Sequence, residues 1–431
     1  MKKIIDYLLL VLLFLIPWQT RLIYRSDNFE YGTLSLYGTE ILLGIILFLL
    51  LFNWLKNKNF RQNIFSKKLW QLRQRRLLGM IILFGLFFWW WQVGDKDIAG
   101  QWLTRMFLIF GLVGAVVASK LSWEKSAFVF WLSGVVQGVL AVIQFLTQYV
   151  FENKWLGLAV HSAGDLGAGV IGVDNARWLR AYGSLGGPNP LGIYLAIALV
   201  LGLIIYLKWD HFKIRILLSV GQIIILVGLI FSFSRSAWLA GALGIIFVIL
   251  LERKNIINLK LISRQIFYYL LLSFLFVIIF SPLFFTRLTA TGKLETTSLN
   301  SRRTQYSEWQ QVYNTHPWLG VGSGNYFLVL LEQNSNRYLS TLQPIHNSYL
   351  LILAELGIVG LSLFVYLVGW LVVVVWQHNR QFLSVIIVLL VSGLFEHWPV
   401  SLWPGMLVVG VIFGVGIKSA YLLVDTKAKA V

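Results

Sequence analysis

Pro190–Leu207 reads PLGIYLAIALVLGLIIYL, eighteen residues without a single charge. As a helix it would rise about 27 Å, close to the hydrocarbon thickness of a bilayer. It has no polar face, so it suits a membrane span or a wholly enclosed core helix. Similar runs occur along the whole chain, which decides between the two. The 431 residues are 58% hydrophobic and 13% charged, with a mean hydropathy of +0.74. Soluble globular chains have about 25% charged residues. The expected fold is therefore an all-α polytopic membrane protein, with 1–431 forming one integral membrane domain.

About twelve spans are predicted: 4–18, 34–55, 77–94, 101–118, 126–150, 190–207, 215–232, 236–251, 265–285, 347–376, 382–399 and 402–418. The even count puts both termini on one side. Met1-Lys-Lys precedes an apolar run, and Pro17–Arg21 offers no small-x-small cleavage site, so the first helix is expected to be retained. Eight of the 36 Lys and Arg lie between Lys56 and Arg76, which marks that segment and the termini as cytoplasmic. The net charge of +18 is read as anchorage at an anionic inner leaflet, not as a nucleic-acid footprint. No cysteine is present, so disulfides and thiolate metal sites are excluded.

Two long segments then face outward, 151–189 and 286–346, while most other connections are short. Long loops in a compact protein usually carry function. The first is glycine-rich. The larger one is partly helical in pattern, with SRRTQYSEWQQVYNTHPWLGVGSGNYF over 301–327.

His346 opens the run HNSYL at the outer mouth of the tenth span. An imidazole there can move a proton near neutral pH; the plain alternative is a polar helix cap. Asn347 and Tyr349 accompany it, and Tyr349 shares its helix face. Arg235, in FSFSRSAWLA, stands between two apolar runs with hardly a loop to hold it. An arginine at such a depth costs about 3 kcal/mol on insertion scales, so it must snorkel or meet an anion. Arg180 precedes AYGSLGGPNPLG, where Pro190 suits a first helical turn and the free amides welcome an anion. Arg302 and Arg303 follow Asn300 and Ser301, which are candidate caps of a short helix; solvated charge is the default for that pair. His316 precedes Pro317 and a glycine-rich turn, and it reads as structural. The outer loops contain no clustered metal ligands, so no metal and no other cofactor is expected.

Taken in order, Arg180…Gly183-Ser-Leu-Gly-Gly-Pro-Asn-Pro-Leu-Gly192, Ser234-Arg-Ser-Ala237, Ser301-Arg302 with Trp309, His316-Pro-Trp-Leu-Gly-Val-Gly322 and His346-Asn-Ser-Tyr-Leu350 resemble one family. It is the O-antigen ligase and polymerase superfamily of bacterial membrane glycosyltransferases. The likeness covers roughly 180–360. It implies transfer of a glycan from an undecaprenyl-diphosphate-linked donor to an acceptor hydroxyl outside the cytoplasmic membrane. The acceptor would be a glycan, lipid A core or a protein, since ligases, polymerases and protein O-oligosaccharyltransferases share these motifs. The resemblance assigns His346 to the acceptor hydroxyl, and Arg235 and Arg302 to the diphosphate with Arg180 assisting. His316, Asn347 and Tyr349 would support them. One displacement without an enzyme nucleophile would invert the anomeric centre. The rival from another class is a secondary transporter of a small anion or solute, for which Glu396-His397 is the best candidate pair.

Overall fold

A computed structural model of the chain describes residues 2–27, 30–56, 94–173, 176–289, 292–334 and 343–428. The predicted span at 77–94, save Gly94, and the basic segment beyond Lys56 lie outside them. At the centre stands α5 (Pro188–Lys208), the helix containing the opening stretch, with nearly every side chain buried. Around it pack α4 (Trp123–Thr147), α6 (Phe212–Phe231), α7 (Arg235–Glu252) and α13 (Leu383–Gly393). Small residues allow the close approach that membrane helices need in place of a hydrophobic drive. A Cβ on Gly202 or Gly221 would lie 2.4 or 2.2 Å from the Trp131 indole, which fills the space they leave.

The remaining helices of the bundle are α1 (Lys2–Leu15), α2 (Gly38–Lys56), α3 (Lys96–Ala118), α8 (Ile256–Ile279), α12 (Ser348–His378) and α15 (Trp403–Ala428). Among the described residues, nine helices are long and apolar enough to cross a membrane. The chain is thus a multi-pass helical membrane protein. Lys418 donates to the Ser119 carbonyl at 2.7 Å, and Asp6 accepts from the Lys120 amide at 3.1 Å. The start of α1 and the C-terminal half of α15 therefore share one end of the bundle.

The other end carries the long connections, and here several sequence boundaries shift. Leu34–Tyr37 is not the start of α2 but a strand, β2, paired antiparallel with β1 (Arg21–Arg25). The glycine-rich segment holds two further ribbons, β3 (Tyr149–Val150) with β4 (His161–Ser162) and β5 (Val170–Val173) with β6 (Ala176–Leu179). The 265–285 run divides into α8 and a separate α9 (Ser281–Thr289), where Pro282 suits a new first turn. The helix expected to be capped at Asn300 or Ser301 begins earlier, as α10 (Lys293–Thr315), followed by α11 (Tyr326–Gln333). Pro317 disfavours helix at His316, and α10 stops one residue before it.

Two departures shape the site. The predicted span 382–399 is helical only to Gly393, eleven residues, and a short α14 (Trp398–Ser401) follows a turn. The tenth span, 347–376, is two helices. Gly357 has φ +65° and ψ −170°, which only glycine adopts readily, and the chain folds back there. The rings of Tyr349 and Phe364, on opposite sides of the break, come within 6.1 Å. A straight helix would hold those residues about 22 Å apart.

Backbone groups freed by such a break must find partners within a membrane protein. The His316–Gly322 segment supplies them. Amides of Val321 and Gly322 donate to carbonyls of Ala354 and Glu355, while amides of Ile358 and Val359 donate to Pro317 and Trp318. A Cβ on Gly357 would sit 2.1 Å from the Trp318 carbonyl oxygen.

Candidate active site

The tight turn between α6 and α7, Ser232-Phe233-Ser234, leaves the Ser232 and Phe233 carbonyls without helical partners. Phe233 takes a left-handed conformation, φ +46°. Two buried arginines brace this turn through Nε: Arg180 donates to the Ser232 carbonyl at 2.8 Å and Arg287 to the Phe233 carbonyl at 2.9 Å. Burial, more than any neighbour, pushes both guanidinium pKa values down, and each also feels the other cations of the cluster. Arginine stays protonated even so.

Each buried arginine then leads to a carboxylate and on to an arginine nearer the surface. Arg180 Nη2 donates to Asn189 Oδ1 at 2.6 Å, and Asn189 Nδ2 donates to Glu396 Oε1 at 2.5 Å. Arg302 approaches the same oxygen at 4.0 Å. In parallel, Arg287 pairs with Glu295 at 2.5 Å, and Arg235 lies 4.0 Å from that carboxylate while donating to the Arg287 carbonyl. Arg235 and Arg302 keep about a third of their side-chain surface exposed, 32% and 33%, whereas Glu295 and Glu396 are almost wholly buried. The outer pair is available to a ligand; the inner pair is committed to the frame.

His346 joins the arginines through Glu396 and Arg302, both close enough to act on its charge. Its Nδ1 lies 3.0 Å from Gln305 Oε1. A carbonyl oxygen only accepts, so this contact favours the tautomer with its proton on Nδ1 and its lone pair on Nε2, and the ring also bonds the Pro344 backbone. Burial is the largest influence on the ring and lowers its pKa below the usual histidine value. His397 stands beside it, with ring centroids 5.5 Å apart. Burial and the neighbouring His346 push His397 down to about 3.

Of the residues singled out in the sequence, Arg180, Arg235, Arg302 and His346 converge here. Asn347 and Tyr349 flank the site as braces. Asn347 caps α12 through the Tyr349 and Leu350 amides, and the Tyr349 hydroxyl donates to the Leu390 carbonyl at 2.7 Å. His316 lies elsewhere, at the far end of α10, with Nδ1 3.1 Å from Thr315 Oγ1. It belongs to the segment that fills the α12 break. Sequence reasoning missed Asn189, Arg287, Glu295 and Gln305 as members of the cluster. Gln305 had a signal, three residues beyond Arg302 on one helix face; Arg287 had none. Glu396 and His397, set aside as a transporter-like pair, lie inside the cluster.

Residues 220–365 match the family model described as O-Antigen ligase. That segment, about a third of the chain, is similar to the O-antigen ligase family. The resemblance seen in the motifs is thereby borne out over that segment. The matched residues include Arg235, Arg287, Arg302, Gln305 and His346. Arg180, Asn189, Glu396 and His397 reach the cluster from outside the match. No curated protein matches the chain.

Proposed function

We propose that the protein transfers a glycan from an undecaprenyl-diphosphate-linked donor to an acceptor hydroxyl, outside the cytoplasmic membrane, with both chain termini cytoplasmic. One observation carries this reading. Four guanidiniums share two carboxylates beside a histidine whose lowered pKa keeps it neutral. The surplus of two positive charges equals the charge of a diphosphate diester.

The chemistry follows from that arrangement. Arg235 and Arg302 grip the diphosphate in bidentate fashion, and Arg180 and Arg287 hold the field beneath them. His346 Nε2 takes the proton from the acceptor hydroxyl as its oxygen attacks the anomeric carbon. The bond from that carbon to the phosphate oxygen breaks, and its electron pair leaves with the diphosphate. The guanidiniums stabilise the charge that develops there, so no divalent cation is needed. A single displacement inverts the anomeric configuration.

The test uses purified protein, a defined lipid-linked glycan and candidate acceptors, in EDTA. His346→Ala is expected to lower transfer by roughly 10²–10⁴-fold. Arg235→Lys and Arg302→Lys keep the charge but lose the planar fork, so donor use should fall markedly. Parent-like turnover in all three variants would sink the assignment, and activity restored only by a divalent ion would sink the metal-free step.

A further inference from the structure

Glu396 and His397 are adjacent in sequence yet serve opposite sides. Glu396 belongs to the arginines, through Asn189 and Arg302. His397 turns away from them: its Nε2 lies 3.4 Å from the Tyr31 hydroxyl and its Nδ1 2.6 Å from Ser401 Oγ. Tyr31 and Ser401 both line a cleft between the β1–β2 ribbon, α3, the start of α11 and the first turns of α12. Pro344, two residues before His346, lines it as well.

The walls of this cleft mix flat apolar faces with polar groups of both kinds. Trp102 is half-buried, and its indole makes no hydrogen bond among the described residues. Tyr326 is 1% exposed, and its phenol oxygen is buried without a partner among them. Gln101 donates both amide hydrogens, to the Tyr24 hydroxyl and the Ser35 carbonyl, which leaves its carbonyl oxygen as an acceptor. Arg105 offers further donors beyond those given to Glu40 and Ser35. A buried polar atom left unpaired is costly, so Tyr326 calls for a ligand group.

We infer that this cleft is a saccharide-binding site that seats the acceptor, across the Glu396–His397 pair from the arginines. A sugar ring presents an apolar C–H face to an aromatic plane and vicinal hydroxyls that both donate and accept. Trp102 matches the face, Gln101 accepts, and Arg105 and Tyr326 donate. A lipid tail would leave those polar groups unanswered. Displacement at the anomeric carbon requires the incoming hydroxyl and the departing diphosphate on opposite sides, and a saccharide seated here would approach from the side away from the arginines. The role as acceptor seat rests on the glycan-transfer reading; the binding of a saccharide does not.

The probe is the oligosaccharide released by mild acid from the surface polysaccharide of the producing cells. Saturation-transfer NMR and calorimetry on the full-length protein in detergent are expected to show binding. Trp102→Ala should weaken it about ten-fold or more, and Trp102→Phe should restore most of the loss. Tyr326→Phe is the sharper variant. It removes an unpaired buried hydroxyl, so thermal stability should hold or rise while affinity falls several-fold. Donor hydrolysis should be unchanged in all three variants. No binding to the parent, or parent-like affinity in Trp102→Ala and Tyr326→Phe, overturns the site. Saccharide binding that persists in a protein unable to use the lipid-linked donor overturns the glycan-transfer reading instead.

Discussion

Gln305 shows how much one hydrogen bond can decide. It touches no substrate in the proposed reaction, yet its carbonyl oxygen favours a proton on Nδ1 of His346 and so a lone pair on Nε2. Gln305→Leu should therefore release both tautomers and cost about ten-fold in transfer, with donor binding intact. The check is the ¹⁵N spectrum of histidine-labelled protein: an unchanged tautomer in the variant would remove Gln305 from any positioning role. The lowered pKa of His346 sets the pH dependence. The neutral base is populated at and below 6.5, so the acid limb of the rate profile should fall below 6.5, and a limb above that value would contradict it. His397 bears on stability instead. Its folded pKa of about 3 lies under the ordinary 6.5. Between those values the unfolded chain binds a proton that the folded chain refuses, so stability is full above 6.5 and is lost as pH falls toward 3. Thermal unfolding across that window should show the decline, and His397→Gln should flatten it.

Gly357 matters through the helices on either side of it. Any side chain there meets the Trp318 carbonyl and requires a backbone conformation that costs about 1–3 kcal/mol in itself. Gly357→Ala should unseat His316–Gly322 from the break, expose that segment to limited proteolysis and abolish transfer, while membrane insertion persists. A variant as protease-resistant and active as the parent would show the fold-back to be incidental. This element also marks where sequence reading stopped. The apolar run 347–376 promised one long helix, and composition alone cannot see a fold-back, because both halves are equally apolar. What the HPWLGVG motif does was equally hidden, since its partners lie some forty residues later. By contrast α5 was plain from its composition, and so was the end of α10 at Pro317. Arg235, too polar for its surroundings, announced a site because its cost demanded an explanation.

Across the bundle, the side on which the long connections lie can be tested directly, because the chain has no cysteine to interfere. Leu166, 97% exposed beyond the β3–β4 ribbon, and Lys254, between α7 and α8, stand at opposite ends. A cysteine at 166 should react with an impermeant maleimide in intact spheroplasts, and one at 254 only after lysis. The reverse pattern would turn the proposed orientation over. The architecture was readable as a multi-pass bundle because hydropathy is a local property. The convergence of Arg180, Arg287, Glu295 and Glu396 was not, because it depends on which helix ends meet around α5.

The brevity of α13 has a consequence for where chemistry can occur. It starts level with the end of α7, where Gln381 bonds Glu252, and its eleven residues climb only about 16 Å. The hydrocarbon layer is about 30 Å thick. Glu396 and the folded-back start of α12 therefore stop short of the far surface, while the eighteen residues of α7 carry Arg235 to about 27 Å. On the proposed reading, the Glu396 side of the cluster would then lie lower than the Arg235 side, as a pit open toward one leaflet. A lipid-borne diphosphate, the proposed donor group, would enter it sideways without lifting its tail out of the bilayer. A glycan coming from above can lower only its tip into such a pit. In the proposed transfer, branches along the middle of an acceptor chain would stay out of reach, and growth is expected at chain ends.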